Sequence, residues 1–194
     1  AALGPPPIPA DNAMTPEKIA LGEMLFFDPI LSGNNAMACA SCHLPDAGWT
    51  VQDKISFGYP GTTHWRNSQT IVNSAYYGKL FWDGSSGSLE KQARSAARGG
   101  VSGNGEDDMM EARLAFVPEY RTAFRNVFGG DWPKVRQAYM AIAAYERSIV
   151  QTDTPFDNYM NGDDAALNGA QKRGLDLFAG KANCIACHTG PLLS

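Results

Sequence analysis

Two pentapeptides carry the clearest chemistry in this 194-residue chain: Cys39-Ala40-Ser41-Cys42-His43 and Cys184-Ile185-Ala186-Cys187-His188. Cysteines at this spacing can form thioethers to the two vinyl groups of one haem, and the adjacent histidine then meets the iron. Other fates for such residues are two disulfides, a thiol redox pair beside an unrelated histidine, or a Cys/His zinc site. Zinc fits poorly, because the motifs lie far apart and both end in the same histidine. In a chain with four cysteines and three histidines, the repetition points to two covalently bound c-type haems. His43 and His188 are then the proximal iron ligands, and no cysteine is left for a structural disulfide.

Further candidates carry weaker signals. His64 is the spare imidazole, and it is read three ways: sixth ligand of the first haem, distal catalytic group, or hydrogen-bonded loop residue. Of seven methionines, Met24, Met109, Met110 and Met140 fall in helical patterns and read as core, while Met37 sits too close to Cys39 to reach round a haem. An open distal side would allow ligand binding or peroxide activation. Splitting an O–O bond needs a group that takes a proton from one oxygen and returns it to the other. Glu106, Asp107 and Asp108 lie in a polar, glycine-rich stretch that could supply it, or they form a solvated acidic loop. Trp82 is either core or an aromatic bridge for electrons.

Local signals place these residues on an all-α frame with long loops. Thr15-Pro16-Glu17 reads as a helix start, with Thr as N-cap, Pro at the first position and an acid in the first turn. That helix is expected to reach Phe27 and stop at Asp28-Pro29. A polar loop, Ser32 to Met37, leads into the first motif, and residues 44 to 80 show no sustained period. Ser88 caps a helix to Ala97, and Gly99 to Asp108 is expected to be a mobile loop. Met110, Leu114 and Val117 recur at helical spacing, as do Tyr120, Phe124 and Val127 after Pro118. Pro133 opens the longest helix, through Val135, Tyr139, Ile142 and Ile149, and Asn168 caps a last one that ends near Gly180. Gly-x-x-Leu-Phe occurs before each motif, at Gly22 to Phe26 and Gly174 to Phe178. The expected architecture is therefore tandem cytochrome-c-like haem modules: 1–14 a flexible N-terminus, 15–165 the first haem domain, 166–194 the start of a second. Only Thr189 to Ser194 follow His188, so the second module is expected to be incomplete here and finished by further chain or a partner.

At 44% hydrophobic and 19% charged residues the composition is that of a globular protein, and the formal net charge of −4 argues against nucleic acid and for a basic redox partner. No apolar run reaches membrane-span length. Residues 1 to 10 lack a charged start and an apolar core, so they read as a processed N-terminus rather than an intact signal peptide. Haem is attached to such motifs outside the cytoplasm, which leads to the bacterial periplasm.

The order of motifs resembles one family, the bacterial di-haem cytochrome c peroxidases and their MauG-type relatives. The resemblance rests on Leu21-Gly22, Leu25-Phe26-Phe27-Asp28-Pro29-x-Leu31-Ser32, Arg66-Asn67-Ser68-x-Thr70, Phe81-Trp82-Asp83-Gly84, Leu89-Glu90-Lys91-Gln92-Ala93, and Gly190-Pro191 after the second motif. It implies a peroxidatic haem on His43 and an electron-storing haem on His188, with Trp82 between them. It also implies Gln92 in the distal pocket, His64 as a displaceable ligand, and Asn67 as a ligand of a calcium ion. The distal acid falls in the 99–109 stretch, with Glu106 the choice and Asp107 or Asp108 as alternatives. That stretch departs from the family pattern, with Ala96 near an expected proline. The segment round His64 is shorter than in the peroxidases, and Arg66-Asn67-Ser68 leans to the MauG-type branch. The implied reaction is reduction of hydrogen peroxide to water with electrons from a small cytochrome c or cupredoxin. Alternatives are a MauG-type oxidase acting on tryptophan of a partner protein and a non-catalytic di-haem electron carrier. A homodimer is among the assemblies the resemblance allows.

Overall fold

The computed structural model describes residues 3–193. They are mostly helical, with seven α-helices and one two-stranded ladder among the described residues. The chain packs as two compact units. One holds residues 7–150, and the other holds 151–193 with residues 3–6.

In the larger unit α1 (Pro16–Phe27) starts where the sequence places it: the Thr15 hydroxyl accepts from the Lys18 N–H at 3.2 Å, and Pro16 fills the first turn. Asp28 ends it and at once caps the 3-10 turn Pro29–Leu31 by accepting from the Ile30 N–H. The helices α2 (Leu89–Arg98), α3 (Asp107–Phe116), α4 (Pro118–Phe128) and α5 (Val135–Ser148) come next along the chain. α5 is the hub, crossing α1 and α2 and touching α3. Gly22 makes the α1–α5 crossing possible, since a Cβ there would run into the Ala141 carbonyl. The shared core contains Leu21, Leu25, Phe26, Met110, Leu114 and Ile142, all buried.

Two expectations change. Asn12, placed in a flexible terminus, is buried. Its amide donates to Glu90 at 2.8 Å and to the Met140 carbonyl at 3.0 Å, while its oxygen accepts from the Lys18 ammonium. The 99–108 stretch is a pinned turn rather than a mobile loop, because its backbone is bonded at both flanks. Gly103 and Gly105 donate back to Ala96 and Ala97, Gly33 donates to Gly103, and Tyr59 donates to Val101. Its glycines are needed for close approach: a Cβ on Gly105 would collide with the Leu31 carbonyl. The turn also ends sooner, as Asp107 and Asp108 already form the first turn of α3. The 44–80 region is mostly loop, as expected, and holds one short antiparallel pair, β1 (Phe57–Gly58) and β2 (Thr62–Thr63).

The smaller unit holds α6 (Pro155–Met160) and α7 (Gly169–Ala179). The sequence pattern does not predict α6, although Thr154 and Asp157 form a capping box round it. By packing the chain divides after Val150, and residues 154–166 lie with α7: Lys172 pairs with Asp164 at 2.7 Å and lies over the Tyr159 ring.

Candidate haem sites

The approach to the first motif is tied down residue by residue. The Ser32 hydroxyl accepts from the N–H groups of Ala36 and Met37, both at 3.1 Å. Arg113 on α3 donates to the carbonyls of Ile30, Ser32 and Gly33 and to Asn35 Oδ1. Cys39–Ser41 then forms a 3-10 turn, with the N–H groups of Cys42 and His43 both returning to the Cys39 carbonyl at 3.1 and 3.0 Å. This brings both sulfurs and the imidazole onto one short arc.

His43 is oriented from behind. Its Nδ1 lies 3.1 Å from the Trp49 carbonyl, which can only accept, so Nδ1 carries the proton and Nε2 keeps its lone pair for a metal. Trp49 can turn its carbonyl inward because it adopts a left-handed backbone (φ 62°) directly after Gly48 (φ 70°). Burial lowers the His43 pKa, against the carbonyls of Trp49 and Gln69, so the neutral, ligating form is favoured. Phe26 packs 6.4 Å from the imidazole and joins Trp49 and Tyr145 in an aromatic wall. Burial, with the nearby charge of Glu146 second, pushes the Cys39 thiol up to about 12. Burial likewise raises Cys42, against a hydrogen bond from Ser68.

The loops around the turn interlock. Thr50 donates to the Ser68 carbonyl, the Ser68 and Ser56 hydroxyls lie 2.7 Å apart, and Ser56 accepts the His64 N–H at 2.9 Å through its carbonyl. The Cys42 sulfur lies 3.6 Å from the Phe57 carbonyl. Phe57, Trp65, Phe81 and Trp82 in the following stretch are exposed, and rings of this kind can pack on a porphyrin face. The residues therefore fit a haem on Cys39, Cys42 and His43.

The second motif repeats the geometry. Cys184–Ala186 is a 3-10 turn, Cys187 and His188 donate to the Cys184 carbonyl at 3.1 and 2.9 Å, and His188 Nδ1 lies 3.1 Å from the Leu193 carbonyl. Phe178 on α7 stands 6.2 Å from His188. No cysteine is in a disulfide, and among the described residues no group of three or more His, Cys, Asp or Glu is arranged to hold a metal ion by itself.

Of the remaining candidates, Trp82 and Asn67 are brought together: the indole N–H donates to the Asn67 carbonyl at 2.9 Å. The Asn67 amide donates to Asp53 and its oxygen accepts from Thr50 at 3.3 Å. One shared amide oxygen does not make a calcium site, which takes six to eight oxygens, and no acidic cluster among the described residues supplies the rest. His64 is half-buried on the strand exit, its ring against Trp65 and its Nδ1 accepting the Arg66 N–H. Glu106 and Asp107 meet at Arg98: Asp107 is held at 2.7 Å and also accepts from the Tyr139 hydroxyl, while Glu106, 80% exposed, stands 4.0 Å away. Asp108 is exposed and Gln92 half-buried; no hydrogen bond joins Gln92 or His64 to these acids among the described residues.

Sequence reasoning missed the orienting carbonyl of Trp49, the Arg98 anchor and Glu146. The first has no sequence signal, since any residue supplies a carbonyl. The last had one: Glu146-Arg147 interrupts an otherwise apolar run on the longest helix.

A helical frame with two such paired-cysteine and histidine turns is that of a multi-haem protein. Residues 16–165 match the family profile described as di-haem cytochrome c peroxidase, and the chain belongs to that family. It is 61% identical to cytochrome-c peroxidase IdrP1 of Denitromonas iodatirespirans, over 99% of this chain and 52% of that protein. It is 40% identical to the methylamine utilization protein MauG of Methylorubrum extorquens, over 94% of this chain and 52% of that protein. Among solved structures, a MauG-like protein associated with microbial copper homeostasis superposes with TM-score 0.91 at 32% identity, covering 100% of this chain and 57% of that one. The chain thus spans about half the length of the curated relatives it matches. No helix among the described residues is long and apolar enough to cross a membrane.

Proposed function

We propose that the protein attaches two c-type haems covalently and reduces hydrogen peroxide to water in the periplasm, with electrons from a small cytochrome c or cupredoxin. The observation that carries this reading is the duplicated attachment turn, in which each histidine has Nδ1 fixed on a backbone carbonyl and Nε2 left for iron. Bound haem would supply the one-electron chemistry and the iron to which peroxide binds. The chain's own residues then divide the work. His43 would hold the peroxidatic haem and His188 the electron-storing one, each in its own cytochrome-c-like module.

Trp82, anchored by the Asn67 carbonyl, serves as the electron bridge. Glu106 moves the proton between the peroxide oxygens: Asp107 is committed to Arg98 and Tyr139, whereas the Glu106 carboxylate is held only at long range. Gln92 would orient peroxide and water, and His64 would be a displaceable ligand for the iron. Asn67 would offer a calcium ion at most the one amide oxygen that it now shares with Thr50.

The test is steady-state peroxide reduction by the full-length, haem-loaded protein with a reduced cytochrome c. Glu106→Gln is expected to lower kcat by about 10²–10⁴-fold, while Asp107→Asn costs stability rather than chemistry. Absence of turnover would leave a non-catalytic electron carrier. The MauG-type reading is favoured by the 40% identity to MauG and opposed by the higher identity to a peroxidase. A methionine rather than a tyrosine on the His188 iron supports the peroxidase.

A further inference from the structure

Glu146 lies on α5 between Tyr145 and Arg147, both buried, and is itself only 4% exposed. Its Oε2 has no hydrogen-bond partner among the described residues, and the buried Ser74 hydroxyl, on a 3-10 turn (Ser74–Tyr76) packed against α5, likewise has none. A buried carboxyl with an oxygen unpaired favours its protonated form. Burial, opposed by Arg147 and reinforced by Glu90, pushes its pKa up to about 8. The adjacent Tyr145 ring packs 5.3 Å from Phe26 and 6.2 Å from Trp49, and Phe26 lies 6.4 Å from His43, which sets this turn of α5 beside the first haem turn; the Glu146 charge accordingly acts on the Cys39 thiol.

The charged and titratable groups around it are accounted for on each neighbouring element. Arg147 on α5 is paired with Glu90 of α2 at 2.8 Å. Lys18 of α1 is bonded to Asn12 and the Ala13 carbonyl, and Glu23 of α1 acts on Tyr145. Asp107 of α3 is held by Arg98 and Tyr139. Tyr76 lies on the same 3-10 turn as Ser74. None of these supplies the Glu146 Oε2 with a partner.

An electron arriving at an iron attached beside Cys39 adds negative charge in the same low-dielectric region and raises the proton affinity of a carboxylate there. We propose that Glu146 is the redox-linked proton site of the His43 haem. Its carboxylate takes one proton from water as one electron from an external reductant reaches the iron, forming one O–H bond, and it returns that proton to water on oxidation. The inference rests on haem attachment at Cys39, Cys42 and His43, as proposed above.

Spectroelectrochemical titration of the full-length, haem-loaded protein as a function of pH tests it. The reduction equilibrium of the His43 haem is expected to shift tenfold per pH unit (about 59 mV for a one-electron couple) where Glu146 titrates, and to lose that dependence in Glu146→Gln. A flat wild-type profile, or a slope that survives in Glu146→Gln, overturns the proposal by placing the proton elsewhere, as on the haem propionates. The redox-difference infrared spectrum of the wild type, taken above pH 8 where the carboxylate is ionised before reduction, needs no variant: a protonated-carboxyl C=O band must grow on reduction, and its absence also overturns the proposal. A mass lacking haem at Cys39 and Cys42 would instead remove the reading beneath it, and Glu146's role with it.

Discussion

Leu25 and Phe26 precede the first haem turn as Leu177 and Phe178 precede the second, yet the two pairs live in different surroundings. Leu25 and Phe26 are buried, whereas Leu177 is 53% exposed and Phe178 half-buried. Gly22 is locked against the Ala141 backbone, whereas Gly174 has open space around it. His43 is half-buried behind an aromatic wall and His188 is exposed. What the two regions share is the local part: the 3-10 turn, the returning N–H bonds and the carbonyl behind each imidazole. The attachment geometry is thus a property of a few consecutive residues. Burial is a property of what crosses over them, and for α1 that is α5. Within residues 151–193 nothing takes the part of α5 against α7.

The largest test of this contrast is the pair Phe26→Ala and Phe178→Ala. Removing a fully buried aromatic costs about 3–5 kcal/mol, so Phe26→Ala should lower denaturant-unfolding stability by that much. Phe178→Ala should cost about 1 kcal/mol or less, scaled to its partial burial. Equal losses would mean that the second site is as well covered as the first.

The two sites should also respond differently to pH. Glu146 stands near Cys39, and its folded-state pKa is raised to about 8 from an ordinary value of 4.5. Between those values the folded protein holds a proton that the unfolded chain has released. The stability contribution is therefore fully present below pH 4.5 and is lost as pH rises towards 8. The loss in the larger unit should be about 2–3 kcal/mol, the full shift setting the upper bound. Glu146→Gln should flatten that slope as followed by unfolding at several pH values, while amide exchange in residues 151–193 keeps its own profile.

Much of the helical frame could be read from sequence, because its signals are local. Thr15-Pro16, Ser88, Pro118 and Asn168 each mark a helix start that the structure reproduces to the residue. What escaped was set by contacts distant in sequence. Asn12 is ordered by Glu90 and the Met140 carbonyl, and Gly103 and Gly105 are needed because Ala97 and Leu31 approach their backbone. At the sites, the histidines and cysteines were legible because their chemistry fixes their spacing. Trp49 was not, because it acts through a carbonyl and an unusual φ. Glu106 and Asp107 are adjacent in sequence and differ only in how Arg98 and Tyr139 receive them, which no local pattern encodes.

Glycine substitutions separate the shared rule from the unshared surroundings. Gly22→Ala forces a methyl into the α1–α5 crossing and should cost about 2 kcal/mol by overpacking. Gly174→Ala places the same methyl in open space on a helix and should gain up to about 1 kcal/mol from helix propensity. The smallest effects should show no contrast at all. The Thr15 hydroxyl accepts one N–H at the start of α1, and the Asn168 amide oxygen accepts two at the start of α7. Replacing either by Ala leaves those donors to water, at about 1 kcal/mol each. Amide exchange in the first turn of each helix reads this unit by unit. Matching losses there, beside unequal losses at Phe26 and Phe178, would locate the asymmetry in tertiary cover. A much larger loss at Asn168 would instead mean that α7, which no helix of residues 151–193 crosses, depends on its cap to persist.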